Sequence, residues 1–164
     1  MTFEEYQKEA VSYRTETANN EEYLTLGLIE EVGEAAGKLA KRRRDGVWDE
    51  KAFVKELGDI LWFIANLADY YDDADIHEAL KGCFAYIRLD TKQVDNDMRY
   101  FAQRAVQVAA DDDYDYTLYE STVDWLASIA KSFGYTLEQV AEINLAKLRD
   151  RAARGKIQGN GDER

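Results

Sequence analysis

Two short acidic strings stand out in this 164-residue chain, Glu30-Glu31-Val32-Gly33-Glu34 and Glu56-Leu57-Gly58-Asp59. Each holds a carboxylate pair three residues apart, a spacing that puts both side chains on one face of a helix. Placing successive residues about 100° apart sets Glu31 at the edge of an apolar arc of Leu24, Leu28, Ile29, Val32, Ala35, Ala36 and Leu39, with Glu34 one step beyond. The same projection sets Glu56 at the edge of an arc of Phe53, Leu57, Ile60, Leu61, Ile64, Leu67 and Ala68. Asp59 lies one step further round, and Phe63 falls between the two acids. If the two helices pair antiparallel, Glu34 faces Glu56 and Glu31 faces Asp59, since both pairs are centred on the Asp45-Gly46 turn. Four carboxylates half shielded at one seam repel and raise one another's pKa, so they either hold protons or gather a divalent cation. Oxygen ligands with no His or Cys beside them suit Mg²⁺, with Mn²⁺ next, rather than Zn²⁺. A ferritin-like di-iron centre would want Glu-x-x-His pairs, and neither pair ends in His.

The rest of the sequence describes an all-α helical bundle able to hold such a hairpin. Proline is absent, and apolar residues recur at three and four rather than at two. Thr2 with Glu5 reads as a capping box that opens a helix over 3–14, which the TETANN stretch breaks. The acidic strings fall on predicted helices over 21–44, stopped by Gly46, and 49–71. Weaker helical patterns cover 76–89, 92–110 and 117–133, and Thr136 with Gln139 opens a last helix through 153. The DDAD and DDDYDYT clusters between them read as solvated loops and helix starts.

Acids outnumber bases 33 to 21, which argues against a nucleic-acid coat or a ligand of anionic membrane. The basic run Lys41–Arg44 sits in the last turn of its helix, where the dipole favours cations. Cys83 and His77 are the only residues of their types, so neither a disulfide framework nor a His-rich metal site is available. No stretch approaches 18 apolar residues and the first residues are acidic, so a soluble cytoplasmic protein is expected.

The strings EEVGE and ELGD, within YLTLGLIEEVGEAAGKLAK and KELGDILWFIANLA, resemble the EExxE…ExxD signature of the MazG-like all-α nucleoside triphosphate pyrophosphohydrolases. The terminal TLEQVAEINLAKLRDRAARG is similar to that family too, so the resemblance covers roughly residues 1–70 and 123–164. It implies cleavage of a nucleoside triphosphate to the monophosphate and pyrophosphate, as in cleaning or balancing a nucleotide pool. It also implies Mg²⁺ on Glu31, Glu34, Glu56 and Asp59, with Glu30 helping to orient or deprotonate water. Asn144, Lys147 and Arg151 share one face of the last helix, and the family uses such a set for phosphate or sugar contacts. Phe63 can stack on a nucleobase or simply belong to the core, and Arg154, Lys156 and Arg164 can fold back over the phosphates.

The resemblance further implies a homo-oligomer, a dimer or tetramer. The chain departs from the pattern in a helical insertion at about 72–122 within its single domain. Phe84, Tyr86, Ile87, Tyr100, Phe101 and Val106 of that insertion are candidates for a lid or a nucleobase wall. The alternative reading is a non-catalytic acidic helical module that binds a protein partner or divalent cations.

Overall fold

Capping chemistry sets where the helices begin. The computed structural model describes residues 1–84, 94–110 and 115–156. Its helices are α1 (Phe3–Ser12), α2 (Glu21–Asp45), α3 (Glu50–Tyr71), α4 (Ala74–Leu80), α5 (Val94–Ala109), α6 (Tyr116–Ser132) and α7 (Leu137–Ala153). A 3-10 turn at Glu16–Ala18 occupies the TETANN break. Thr2 with Glu5 and Thr136 with Gln139 form the expected capping boxes of α1 and α7. Asn20 and Asp49 cap α2 and α3 by accepting first-turn amides, and Gly46 closes α2 with a left-handed φ of 70°. The acidic clusters serve helix ends as expected: Asp72 ends α3, Asp73 caps α4, and Asp115 caps α6.

The all-α expectation holds, with shifts at element ends. Helix α1 stops at Ser12 rather than at 14 because Arg14 turns away to donate to the Asn66 carbonyl and to pair with Asp69 on α3 at 2.6 Å. Helix α4 ends at Leu80, before the left-handed Gly82; positions 85–89 of the predicted 76–89 pattern lie outside the described residues.

Helix α3 is the centre of the bundle. Its predicted arc, from Phe53 to Ala68, is wholly buried, and α1, α2, α6 and α7 all pack against it. The arc of α2 is buried at Leu24, Leu28, Val32, Ala35 and Leu39. Ile29, expected in that arc, is 40% exposed. Helix α5 packs on α2 and α6, and α4 on α6. Helix α1 is tied to α3 by polar contacts as well, with Gln7 donating to the Ala65 carbonyl at 2.9 Å and Trp62 donating to Ala10 at 3.2 Å. Arg42 of the basic run lies over the Trp48 ring, 4.5 Å from its centroid, so that arginine has a packing role. Among the described residues, no helix is long and apolar enough to cross a membrane.

Candidate active site

Three carboxylates converge on the α2–α3 seam. One oxygen each from Glu31 on α2 and from Glu56 and Asp59 on α3 lies within 4.8 Å of the others. Glu34 is exposed and outside this trio, yet its charge helps to raise the pKa of both Glu31 and Glu56. Glu30 is also exposed, and no hydrogen bond or ion pair joins it to the trio among the described residues.

Two lysines answer two of the three charges. Lys38, one helical turn beyond Glu34, reaches Glu56 at 2.9 Å, and Lys147 of α7 pairs with Asp59. Glu31 has no such partner among the described residues. Burial, then the charges of Asp59, Glu56 and Glu34, push its carboxyl up to about 8, with Lys147 opposing. Burial raises Glu56 as well, and Lys38 works against that rise. The trio is therefore short of positive charge by one unit when fully ionised. All donors are oxygens and no His or Cys is among them, so the set fits a hard divalent cation, for which negative charge in excess of the resident lysines is what a site requires.

Asn144 stands behind Asp59 rather than in the open. It is 1% exposed, accepts a hydrogen bond from the Tyr6 hydroxyl at 2.9 Å, and donates to Asp59 Oδ1 at 3.0 Å. Its approach needs Gly58: a β-carbon there would stand 3.0 Å from the Asn144 β-carbon. Gly58→Ala is expected to force α7 and α3 apart at this point and to destabilise the fold by about 1–3 kcal/mol, as overpacking does. Denaturant unfolding would check it.

Beside the trio opens a cleft of about 130 Å³. Glu31, Asp59, Lys147 and Arg151 give it a charged side, and Tyr23, Trp62 and Phe63 an aromatic one. Tyr13, Thr15 and Ala18, from the segment between α1 and α2, complete the wall. Phe63 is only 6% exposed, so it offers the cleft part of its ring. The ring lies against Gly27, where any β-carbon would overlap it, and stands edge-on to Trp62 at 4.9 Å.

Other expected contributors lie elsewhere. None of the described aromatics of residues 72–122 lines this cleft. Phe101 is fully buried in the core, Tyr100 stacks on Trp125, and Phe84 packs edge-on to Phe3. Val106 is exposed, and Tyr86 and Ile87 lie outside the described residues. Arg154 pairs with Asp150 at 2.6 Å, Lys156 is exposed, and Arg164 lies outside the described residues.

Residues 19–87 match the MazG nucleotide pyrophosphohydrolase domain. This segment of the chain is similar to the MazG family. It contains all three converging carboxylates, Lys38 and Phe63, whereas Tyr6, Asn144, Lys147 and Arg151 lie outside it. The matched hairpin of α2 and α3 is thus completed here by α1 and α7. The Gene 37 protein of Mycobacterium phage L5 is 42% identical over 55 residues, which cover 30% of this chain and 48% of that protein. The chain therefore spans about half the length of that curated relative. No solved structure gives a significant match.

Several contributors carried little sequence signal. Lys38 was legible in principle, since it follows Glu34 by four and Glu31 by seven, and so shares their helix face. Gly27 precedes Glu31 by four, but nothing in sequence pairs it with Phe63. Tyr6 meets Asn144 across 138 positions, a contact that helical periodicity does not address.

Proposed function

We propose that this protein is a nucleotide pyrophosphohydrolase that cleaves a ribo- or deoxyribonucleoside triphosphate to the monophosphate and pyrophosphate. The observation that carries this reading is the trio Glu31, Glu56 and Asp59, two of whose members, Glu31 and Asp59, line a cleft whose other surfaces are cationic and aromatic. The match of residues 19–87 to the MazG nucleotide pyrophosphohydrolase domain supports it.

Glu31, Glu56 and Asp59 would hold a divalent cation, Mg²⁺ by donor chemistry with Mn²⁺ as a substitute, and the exposed Glu34 adds negative charge. Such a cation supplies charge neutralisation at the phosphates and a better water nucleophile at neutral pH. The chain's own residues do the rest. Lys147 and Arg151 face the cleft from one side of α7 and offer cations to the triphosphate. Lys147 would divide its charge between Asp59 and the phosphates. Tyr23, Trp62 and Phe63 offer apolar surface to the base and exclude water. Phosphoryl transfer asks for positioning and charge neutralisation more than for a covalent nucleophile, and the charged side of this cleft offers both.

Purified protein with Mg²⁺ and a panel of standard and damaged nucleoside triphosphates tests the reading. Pyrophosphate and monophosphate are expected, lost on chelation. Inorganic phosphate without pyrophosphate would overturn the reaction, and cation binding without hydrolysis would favour the non-catalytic acidic module. A role in cleaning or balancing the nucleotide pool belongs to the same proposal, with faster turnover of a damaged or minor nucleotide as its sign. Self-association into a dimer or tetramer is also proposed; it is supported by Leu26, 67% exposed, beside Ile29 on α2. Light scattering is expected to give a mass above that of one chain.

Gly27→Ala bears on the cleft. The added methyl would drive the Phe63 ring off α2 and toward the cleft, so KM for the nucleotide is expected to rise several-fold while Mn²⁺ affinity holds. Steady-state kinetics alongside a metal titration would check both halves.

A further inference from the structure

Asp59 is the most heavily supported of the three carboxylates, and its support arrives from outside the MazG segment. Its Oδ2 accepts from Lys147 and its Oδ1 from the Asn144 amide at 3.0 Å. The Asn144 amide is oriented in turn. Its nitrogen faces the Asp59 carboxylate, which can only accept, and this leaves its carbonyl oxygen to take the Tyr6 hydroxyl at 2.9 Å. A reversed amide would set its oxygen against the Asp59 carboxylate, oxygen against oxygen, and would turn an NH₂ toward the Tyr6 hydroxyl. Tyr6 is 0% exposed and Asn144 1%, so water cannot replace either partner. Packing holds the donor in place, since the Tyr6 ring lies against Phe3 and Phe84, with centroids at 6.3 and 6.0 Å. Gly58 brings no β-carbon to crowd Asn144.

We propose that Tyr6 is a positioning residue for the metal site, acting through Asn144 to fix the plane of the Asp59 carboxylate. Helix α1 then has a chemical part to play, as the element that orients a ligand carried by α3. The relay assigns Asn144 to holding Asp59 rather than to touching phosphate or sugar. The effect on the cation rests on the function proposed above, whereas the amide orientation does not.

The test is a double-mutant cycle read by Mn²⁺ titration calorimetry on the full chain, with thermal melts alongside. Tyr6→Phe removes the hydroxyl and keeps the ring. It is expected to weaken Mn²⁺ binding about tenfold, the lower end of what loss of an outer hydrogen-bond partner costs a metal site. Asn144→Ala is expected to weaken it at least as much, and the double variant no more than Asn144→Ala alone. A role in packing alone predicts a lowered melting temperature with unchanged Mn²⁺ affinity. Mn²⁺ affinity within twofold of the parent in Tyr6→Phe, or effects that add in full, would overturn the relay. Should Tyr6→Phe fail to fold, Gly58→Ala crowds Asn144 with the hydroxyl in place and is expected to give the same loss; unchanged affinity there would overturn the relay equally.

If the parent binds no Mn²⁺, the proposed function fails and the relay is judged on the Asn144 side-chain amide resonances of the metal-free protein. They are expected to move in Tyr6→Phe, and resonances that stay put would overturn the relay.

Discussion

Asp59→Asn is expected to lower kcat/KM for triphosphate hydrolysis by about 10²–10³-fold or more, the scale on which removal of one electrostatic stabiliser is felt. The melting temperature of the metal-free protein should hardly move. Asp59 belongs at once to the carboxylate trio, to the Lys147 pair and to the Asn144 hydrogen bond. An amide of the same shape keeps one acceptor for those two donors and leaves the other short, a cost of about 1 kcal/mol. Loss of one of three crowded negative charges works in the opposite direction. Stability therefore stays near balance while the cation site loses a ligand charge. Asp69→Asn is the natural control: it breaks the half-exposed pair with Arg14, worth about 0.2–1 kcal/mol, and touches neither trio nor cleft. Retention of more than a tenth of parental kcat/KM by Asp59→Asn, measured as pyrophosphate released, would remove Asp59 from the proposed machinery.

The hairpin was legible because its signals are local and periodic. Capping residues, Gly46 and the three-four recurrence of apolar side chains fixed α2 and α3 to within a residue at each end. The register puts Glu31, Glu34, Glu56 and Asp59 on one seam, whereas in the fold Glu31, Glu56 and Asp59 converge and Glu34 is exposed outside the trio. Periodicity reports which face of a helix is apolar, but not how far the neighbour extends along it. Ile29 illustrates the difference, since it lies in the arc and yet stays 40% exposed. The same limit applies to charge. The spacing of Asn144, Lys147 and Arg151 reads as a single phosphate-facing stripe, whereas in the fold Lys147 and Arg151 line the cleft and Asn144 turns inward between Tyr6 and Asp59. Only the absence of a β-carbon at Gly58 lets α7 come close enough for that. The aromatic wall was partly foreseen through Phe63, while Tyr13 and Thr15 come from a connection with no pattern to read.

Glu31→Gln is expected to stabilise the metal-free protein at pH 8 and to leave it unchanged near pH 4.5. Burial and the neighbouring carboxylates raise Glu31 from 4.5 to about 8, so between those values the folded chain holds a proton that the unfolded chain has released. Stability then falls as pH climbs across that window, because the folded state binds more protons than the unfolded one. Above about 8 both states have lost the proton and the slope vanishes. The half-buried side chain is screened in part, so the recoverable stability at pH 8 is on the order of 2 kcal/mol, or about 4–8 °C in melting temperature. Glutamine keeps the shape and discards the charge, so it should recover that amount at pH 8 and nothing in acid, where the parent is already neutral. Divalent cation reverses the ranking, since a ligand must be ionised to bind and only the parent can supply the third charge. With saturating Mg²⁺ at pH 8 the parent should gain in melting temperature and Glu31→Gln should gain much less. At pH 7, Mg²⁺ binding to the parent should also release close to one proton, seen as a heat that varies with the ionisation enthalpy of the buffer. Equal melting curves for parent and variant at both pH values, or a binding heat indifferent to buffer, would mean that Glu31 is already ionised in the metal-free site and that the two lysines neutralise the trio as a whole rather than Asp59 and Glu56 singly.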